Sequence, residues 1–438
     1  MIATYQPETD ILSASKIDLD LEEIVTDLTA NDFAAAMGVY ESGTNSDQTL
    51  QSISQPGGPS GTGTNAMQSN TWWPIYKAYW GDQINYADVF VQKYGAAGAA
   101  YQDATRAQLV KKGIAYQGVW MYAVHKFETA IADCLKGTVA DVNSAKLNWD
   151  KGMAYYVGSQ EGTTTGASTG NLLYNLAQKR CADFGTCATT TDSSTIATAN
   201  KEAIAKATEG MAYFVHTQLS CADPQLGKIF DGIVSQMTVP LVQGMLKYAF
   251  KADPENVAGS CSDVDSSSCA KSWAEGWAFA AAVLPQIWNC SASVAATVRA
   301  NFDVANAAPV PDGFAAVKSA VESTYGCLGI TCDDVGAYQS SYSIYSGMEA
   351  CFVTLSDANV HAAVHAWLDG DTTTYGHIST WDVSAVTDMS GLFCAESETN
   401  CPAGTYHSAA ASFNDDISGW DARRAASEST TSRHRGLR

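Results

Sequence analysis

The stretch WDKGMAYYVGSQEG, residues 149–162, is the clearest copy of a short helical phrase that recurs along the chain. Its core is a glycine, a large apolar residue, an alanine and an aromatic residue, and the same core stands at residues 113–116, 210–213 and 276–279. In a helix the glycine and the alanine let a neighbouring element approach closely, while the aromatic side chain fills the gap beside it. The repetition predicts a helical array whose copies serve first of all to bury core.

The composition predicts a folded, acidic protein. The 438 residues allow two or three domains, and with 46% hydrophobic and 16% charged residues a globular core is expected rather than disorder. The formal net charge of −21 argues against a nucleic-acid partner, because phosphate binding needs lysine and arginine. An acidic surface suits solubility, metal cations and saline surroundings.

The twelve cysteines indicate a disulfide-stapled protein from an oxidising compartment. Several are closely spaced, as in CADFGTC (residues 181–187) and CLGITC (residues 327–332), and none forms the CxxC pairs of a zinc site. Their connectivity stays open. The N-terminal residues lack the basic start and apolar core of a signal peptide, and no run of 18 apolar residues predicts a transmembrane segment. Secretion is therefore predicted from the cysteines alone.

The order of the patterns predicts an internal duplication. A helix is expected over 17–42, and the longest helical pattern covers 106–135. Each half then runs through a long helix, a copy of the phrase and a cysteine-bounded closure. The predicted fold is all-α, a duplicated multi-helix bundle stapled by disulfides, followed by a small irregular β/turn repeat segment. The predicted domains are a first helical half at 17–190, a second at 197–368, the repeat segment at 377–421 and a disordered tail at 422–438.

Three motifs occur in an order that resembles a known family. They are WDKGMAYYVGSQEG, LLYNLAQKRCADFGTC (residues 172–187) and AEGWAFAAAVLP (residues 274–285). Together they resemble the low-iron-inducible periplasmic proteins, which include the Fe-assimilating proteins of green algae and the phytotransferrins of diatoms. The resemblance covers residues 20–355. It implies an extracellular, periplasmic or surface-held protein that captures Fe(III) for assimilation and hands it to an uptake partner at the cell surface.

For phytotransferrin-like members the resemblance also implies carbonate as a synergistic anion. Related members respond to CO2 instead, so the resemblance alone leaves iron open. A second, local resemblance is to the BspA-type leucine-rich repeats of surface proteins, in residues 374–393 and 411–421. About one and a half repeat units are too few to stack into an independent solenoid. They support an alternative function in cell-surface interaction or adhesion.

The candidate metal ligands are hard donors, since Fe(III) prefers carboxylate, phenolate and imidazole over thiolate. His125 and Glu128 stand three residues apart, and Tyr122 stands three residues before His125, so the three share one helix face. The competing interpretation is a solvated or internally satisfied face. The His-x-x-Glu order is similar to that of imelysin-like iron-regulated helical proteins, which gives a second alternative, an HxxE metal-dependent protein.

Further candidates are weighed against structural roles. Tyr155 and Tyr156 occupy the aromatic part of the phrase, where a core position is the competing interpretation. The candidate carboxylates lie at a helix end, before a turn and beside a close-packing glycine, at Glu161, Glu41 and Glu275 respectively. A carboxylate on an apolar helix needs a partner.

Zinc and enzyme chemistry are not favoured. His361 and His365 have a zinc-compatible spacing, but no third ligand follows, and an incidental or structural role is predicted for them. The sequence holds no HExxH, GxSxG or GxxxxGK[ST] motif, so the protein is predicted not to be an enzyme.

Overall fold

The structure is a computed structural model that divides into two compact units. The first comprises residues 1–324 with 337–348, and the second comprises residues 325–336 with 349–438. The structure describes residues 5–420 except positions 57, 59–65, 162–167, 191–193, 217, 341–342, 349, 352, 372–374, 376–377, 379–380, 416 and 418–419. The predicted disordered tail, 422–438, lies outside the described residues.

The first unit is helical almost throughout. Its helices up to residue 136 are α1 (Leu12–Ser15), α2 (Ile17–Thr29), α3 (Phe33–Ser42), α4 (Leu50–Ser54), α5 (Trp72–Tyr79), α6 (Tyr86–Gly95), α7 (Asp103–Gly113) and α8 (Trp120–Lys136), with a 3-10 turn at Ala66–Ser69 and a π-helical segment at Ile114–Val119. Then follow α9 (Val139–Val157), α10 (Leu173–Phe184), α11 (Thr198–Val215), α12 (Pro224–Ala252), α13 (Ser267–Cys290), α14 (Ala292–Phe302) and α15 (Phe314–Glu322). Two antiparallel strand pairs complete the unit, β1 (Cys187–Thr189) with β2 (Thr195–Ala197) and β3 (Gln339–Ser340) with β4 (Ser343–Ile344).

Two predicted helices differ in detail from the observed ones. The helix expected over 17–42 is broken, because Asn31 adopts a left-handed φ of 59° and Asp32 then caps α3 by accepting a hydrogen bond from the backbone N–H of Ala35. The long pattern at 106–135 is confirmed and extended. Helices α7 and α8 continue into each other through the π-helical segment. A π-helix has more residues per turn than an α-helix, and the periodicity of the sequence does not reveal this local change.

The predicted close-packing role of the phrase is confirmed at all four copies. A Cβ added to any phrase glycine would run into an aromatic ring from another helix: Phe90 at Gly113, Phe127 at Gly152, Trp149 at Gly210 and Phe302 at Gly276. Such approach distances leave no room for a methyl group. The glycines therefore set the spacing between helices.

Trp149 shows how the phrase organises the core. Its ring is fully buried in α9 and meets Phe127 of α8 edge to face, with the ring centroids 4.9 Å apart. Its indole N–H donates to the backbone carbonyl of Ala207 in α11 at 2.8 Å, so the only polar atom of the side chain is satisfied. One side chain thus joins three helices.

All twelve cysteines are disulfide-bonded, which confirms the stapled fold. The pairs include Cys134–Cys221, Cys181–Cys187, Cys261–Cys269, Cys332–Cys351 and Cys394–Cys401. The closure predicted at CADFGTC is therefore a local disulfide. The CLGITC closure is not, because Cys332 bonds to Cys351, whose Cα atom lies 5.2 Å away, within the usual span of a disulfide.

The second unit contains α16 (Tyr325–Leu328), α17 (Cys332–Val335), β5 (Val353–Ser356), α18 (Val360–Leu368), β6 (Trp381–Ala385) and a 3-10 turn at Ser408–Ser412. Strands β5 and β6 are parallel, with Val353 paired to Trp381. A separate apolar core that includes Leu355, Val364 and Val383 lies behind them. The tryptophans of the two IS-x-WD copies of the predicted repeat are in contact, because the rings of Trp381 and Trp420 stack with centroids 5.9 Å apart.

The first unit includes residues on both sides of the boundary predicted between 17–190 and 197–368. The duplication itself stays a prediction. No helix among the described residues is both long and apolar enough to cross a membrane.

Candidate metal site

Three of the predicted ligands come together between α8 and α9. The Tyr122 ring lies edge to face with the Tyr155 ring, with centroids 4.9 Å apart, and its centroid is 5.7 Å from that of His125. Tyr122 and His125 lie one helical turn apart on α8, and α9 packs along that face and supplies Tyr155. The predicted sharing of one helix face is therefore observed for Tyr122 and His125, and a second phenol is added from the neighbouring helix.

A carboxylate that was not singled out from the sequence lies near the two phenols. Asp47, in the loop between α3 and α4, lies close enough for its charge to act on both phenols, and its Oδ2 is 3.3 Å from Nζ of Lys151. Tyr122, His125, Tyr155 and Asp47 are called the tyrosine cluster below. Only an acid in a polar turn marks Asp47 in the sequence, a signal shared by many surface loops.

Burial keeps the two phenols and the imidazole of the tyrosine cluster uncharged at neutral pH. Burial, together with the charge of Asp47, raises the pKa of Tyr122 to about 12. Burial likewise raises the pKa of Tyr155, whose hydroxyl is enclosed and has no hydrogen-bond partner among the described residues. Burial also lowers the pKa of His125 to about 4, so its imidazole is uncharged at neutral pH and able to act as a ligand. The Asn70 amide nitrogen lies 2.9 Å from Nδ1 of His125 and holds the ring in place.

Glu128 has a different environment. Its Oε1 accepts a hydrogen bond of 2.6 Å from the backbone N–H of Thr71, the residue before α5, where a carboxylate is favoured by the helix N-terminus. Its Oε2 is buried without a partner in the described part of the chain. Burial raises the pKa of Glu128 to about 7 in spite of the Thr71 and Trp72 amides, and Asp231 adds to the rise. His125 and Glu128 therefore contact two consecutive residues, Asn70 and Thr71.

The next three candidates lie apart from this group. The hydroxyl of Tyr156 donates to Oδ1 of Asn200, a buried contact between α9 and α11. Glu161 accepts from the backbone N–H groups of Thr169 and Gly170 at 3.1 and 2.9 Å. Glu41 is exposed on α3, with a long contact of 3.5 Å from the amide of Gln92.

Glu275 has the partner that its apolar helix requires. Its Oε2 is 3.4 Å from Nζ of Lys112, and the hydroxyl of Tyr248 donates to it. Burial acts to raise the pKa of Glu275, but the charge of Lys112 and the Tyr248 hydrogen bond outweigh burial, and the pKa is lowered. Glu275 is thus ionised at neutral pH, and it lines a cavity between α2, α7, α10 and α13.

In the second unit His361 and His365 lie on α18. The His365 ring is 5.2 Å from that of His407, which contacts Asp369 at 3.1 Å. Within the described ranges no three histidine, cysteine, aspartate or glutamate side chains form a group that could hold a metal ion. The tyrosine cluster differs from such groups because it combines two phenols with an imidazole and a carboxylate.

Comparison with known proteins identifies a family. The sequence model of a family described as low iron-inducible periplasmic protein matches residues 1–351 of the 438. No curated protein matches the chain, and no solved structure matches it. The matched range covers the helices that carry the tyrosine cluster and stops before the paired strands of the second unit.

Proposed function

The chain belongs to the low iron-inducible periplasmic protein family, and on this premise we propose that it is an extracellular or periplasmic protein that binds ferric iron for assimilation. The observation that supports the proposal is the tyrosine cluster. It offers two phenols, one neutral imidazole and one carboxylate, the hard donors that Fe(III) prefers. The proposal is for a binding protein that passes its cargo to an uptake partner at the cell surface, not for an enzyme.

Binding at the tyrosine cluster is coupled to protons. Both phenols are protonated in the metal-free protein, because burial raises the pKa values of Tyr122 and Tyr155. Ferric iron replaces those protons, so binding releases them and the affinity rises with pH. Acidification returns protons to the phenols and favours release of the metal.

The carbonate part of the proposal rests on two lysines at the same place. Nζ of Lys126 lies 4.9 Å from the centre of the Tyr122 ring, and Nζ of Lys151 lies 3.3 Å from Asp47. An anion that bridges a ferric ion and these ammonium groups would balance charge in a partly buried site. Carbonate bound in this way acts as a synergistic anion.

The test is a ferric titration of the metal-free protein, with and without bicarbonate, followed by visible absorbance. We expect a new phenolate-to-iron charge-transfer band, stronger in bicarbonate. Tyr122→Phe with Tyr155→Phe removes both phenols, and the band is expected to disappear.

Tyr156→Phe is the matched control, because Tyr156 is the neighbouring phenol on α9 but contacts Asn200 instead. This variant is expected to keep the band. Absence of ferric binding in the unmodified protein refutes the function. A band that survives in the Tyr122→Phe, Tyr155→Phe variant refutes the site.

A second function, cell-surface interaction through the C-terminal repeats, is favoured by one observation. The second unit has its own core, and its two IS-x-WD copies stack through Trp381 and Trp420 as successive repeats do. Trp420→Ala is expected to abolish binding to a surface partner while leaving ferric binding unchanged. Equal loss of both activities would contradict a separate role for the unit.

A further inference from the structure

A cavity in the first unit is lined mainly by basic side chains, whereas the protein as a whole is acidic. It is about 180 Å³ in volume and lies between α2, α7, α10 and α13. Four cations and one carboxylate line it: Lys111, Lys112, Lys179, Arg180 and Glu275. The chain has 25 basic residues against 46 acidic ones, so this local excess of positive charge runs against the composition. Such an arrangement attracts anions.

The positive charges of the cavity are partly buried and repel one another. Burial lowers the pKa of Lys112 to about 7, and Lys111 and Arg180 lower it further against the opposing charge of Glu275. Burial also lowers the pKa of Lys111. The carboxylate of Asp183, which pairs with Arg180, is shared with Lys247 at 2.8 Å. An anion in the cavity would relieve this repulsion.

Two buried polar atoms of the lining have no hydrogen-bond partner among the residues that the structure describes. They are Nε of Arg180, a donor, and Oδ1 of Asn175, an acceptor. Both side chains are more than nine-tenths buried, at 7% and 4% exposure. Unsatisfied buried groups of this kind call for a ligand or ordered water. The donor suits a carboxylate oxygen, and the acceptor suits a hydroxyl group.

The volume sets the size of the ligand. One water needs roughly 10–15 Å³ by this measure, so the cavity has room for a molecule of about a dozen non-hydrogen atoms. Asn175 and Lys179 stand four residues apart on one face of α10, and Lys179 is exposed at the mouth. The lining thus combines four basic side chains with one amide oxygen that can accept a hydrogen bond from a hydroxyl group.

We propose that this cavity is a binding site for a small hydroxylated polycarboxylate. The carboxylates would pair with Lys111, Lys179 and Arg180, and the hydroxyl would donate to Oδ1 of Asn175. The site shares no residue with the tyrosine cluster and requires no metal. It therefore goes beyond ferric binding, and the two proposals fail or succeed independently.

The experiment is equilibrium dialysis of the metal-free full chain against labelled citrate, with two competitors. Tricarballylate carries the same three carboxylates without the hydroxyl and is expected to bind about threefold to tenfold more weakly, the value of one hydrogen bond. Inorganic phosphate is expected to compete more weakly still. No retention of citrate at millimolar concentrations overturns the proposal. Equal competition by tricarballylate overturns the hydroxyl assignment, and equal competition by phosphate overturns the polycarboxylate class.

Variants locate the site. Lys111→Gln with Lys179→Gln is expected to weaken citrate binding about tenfold or more, since hydrogen bonds to charged groups are lost. Lys201→Gln with Lys228→Gln is the charge-matched control, because both lysines are exposed and outside the cavity. Lys179→Gln alone leaves the packing intact, because Lys179 is exposed. This single variant should weaken citrate binding less than the double variant does. Equal weakening in the control pair would show a general charge effect and overturn the site.

Discussion

Glu128 is predicted to make the stability of the first unit depend on pH. Burial raises the pKa of Glu128 from 4.5 to about 7. Between pH 4.5 and pH 7 the native state therefore holds a proton that the unfolded chain has lost. The free energy of unfolding therefore falls as the pH rises from 4.5 to 7. At 1.36 kcal/mol for each pH unit, the loss amounts to about 3 kcal/mol, and it is complete above pH 7.

Glu128→Gln removes this loss. Glutamine keeps an oxygen that can accept the hydrogen bond from the Thr71 N–H, but it carries no charge to bury. Relative to the unmodified protein, the variant is expected to gain nothing below pH 4.5 and about 3 kcal/mol above pH 7. The assay is urea unfolding of metal-free protein at intervals from pH 4 to pH 8, followed by tryptophan fluorescence.

The control is Glu41→Gln, since Glu41 is exposed on α3 and remains hydrated in the native state. Its curve should run parallel to that of the unmodified protein. A stability difference for Glu128→Gln that stays constant from pH 4 to pH 8 would refute the reasoning. So would a difference that grows toward acid pH.

Four further outcomes are expected. Gly210→Ala should lower the free energy of unfolding by about 1–3 kcal/mol, because the added methyl group displaces the Trp149 ring. Gly227→Ala, on a helix with open space around it, should instead raise it by up to about 1 kcal/mol, and equal effects in both variants would contradict the packing argument. Replacement of Cys134 and Cys221 by alanine removes a disulfide between residues that are 87 positions apart in the sequence. It should lower the free energy of unfolding by about 4–5 kcal/mol, as measured by urea unfolding. Thiol titration of denatured, unreduced protein should find no free thiol, and a count near twelve would contradict the disulfide structure.

Local pattern was enough to predict the helical class and its packing device. The recurrence of glycine, a large apolar residue, alanine and an aromatic residue predicted helices in close contact, and each of the four glycines does meet a ring from another helix. The spacing of Cys181 and Cys187 likewise marked a real bridge. Both are consequences of short-range periodicity and of side-chain size, which sequence carries directly.

Two features of the fold were not predicted from the sequence. The helix expected over 17–42 breaks at Asn31, and the following Asp32 caps a new helix by accepting from the N–H of Ala35. These few residues lie within a pattern that otherwise predicts one continuous helix. The bond between Cys332 and Cys351 depends on how the chain returns after residue 340. No spacing rule distinguishes it from a bond within CLGITC.

The amino-acid sequence alone determined the all-α class, the oxidised cysteines, the acidic surface and the membership of an iron-responsive family. Only the tertiary structure decided which side chains meet. It brings Tyr155 against Tyr122 with Asp47 near both phenols, directs Glu128 to a helix N-terminus, and gathers Lys112 and Glu275 in a basic cavity. The physical reason is that periodicity fixes the face of a helix on which a residue lies, whereas the partner of that face depends on contacts between segments far apart in the chain.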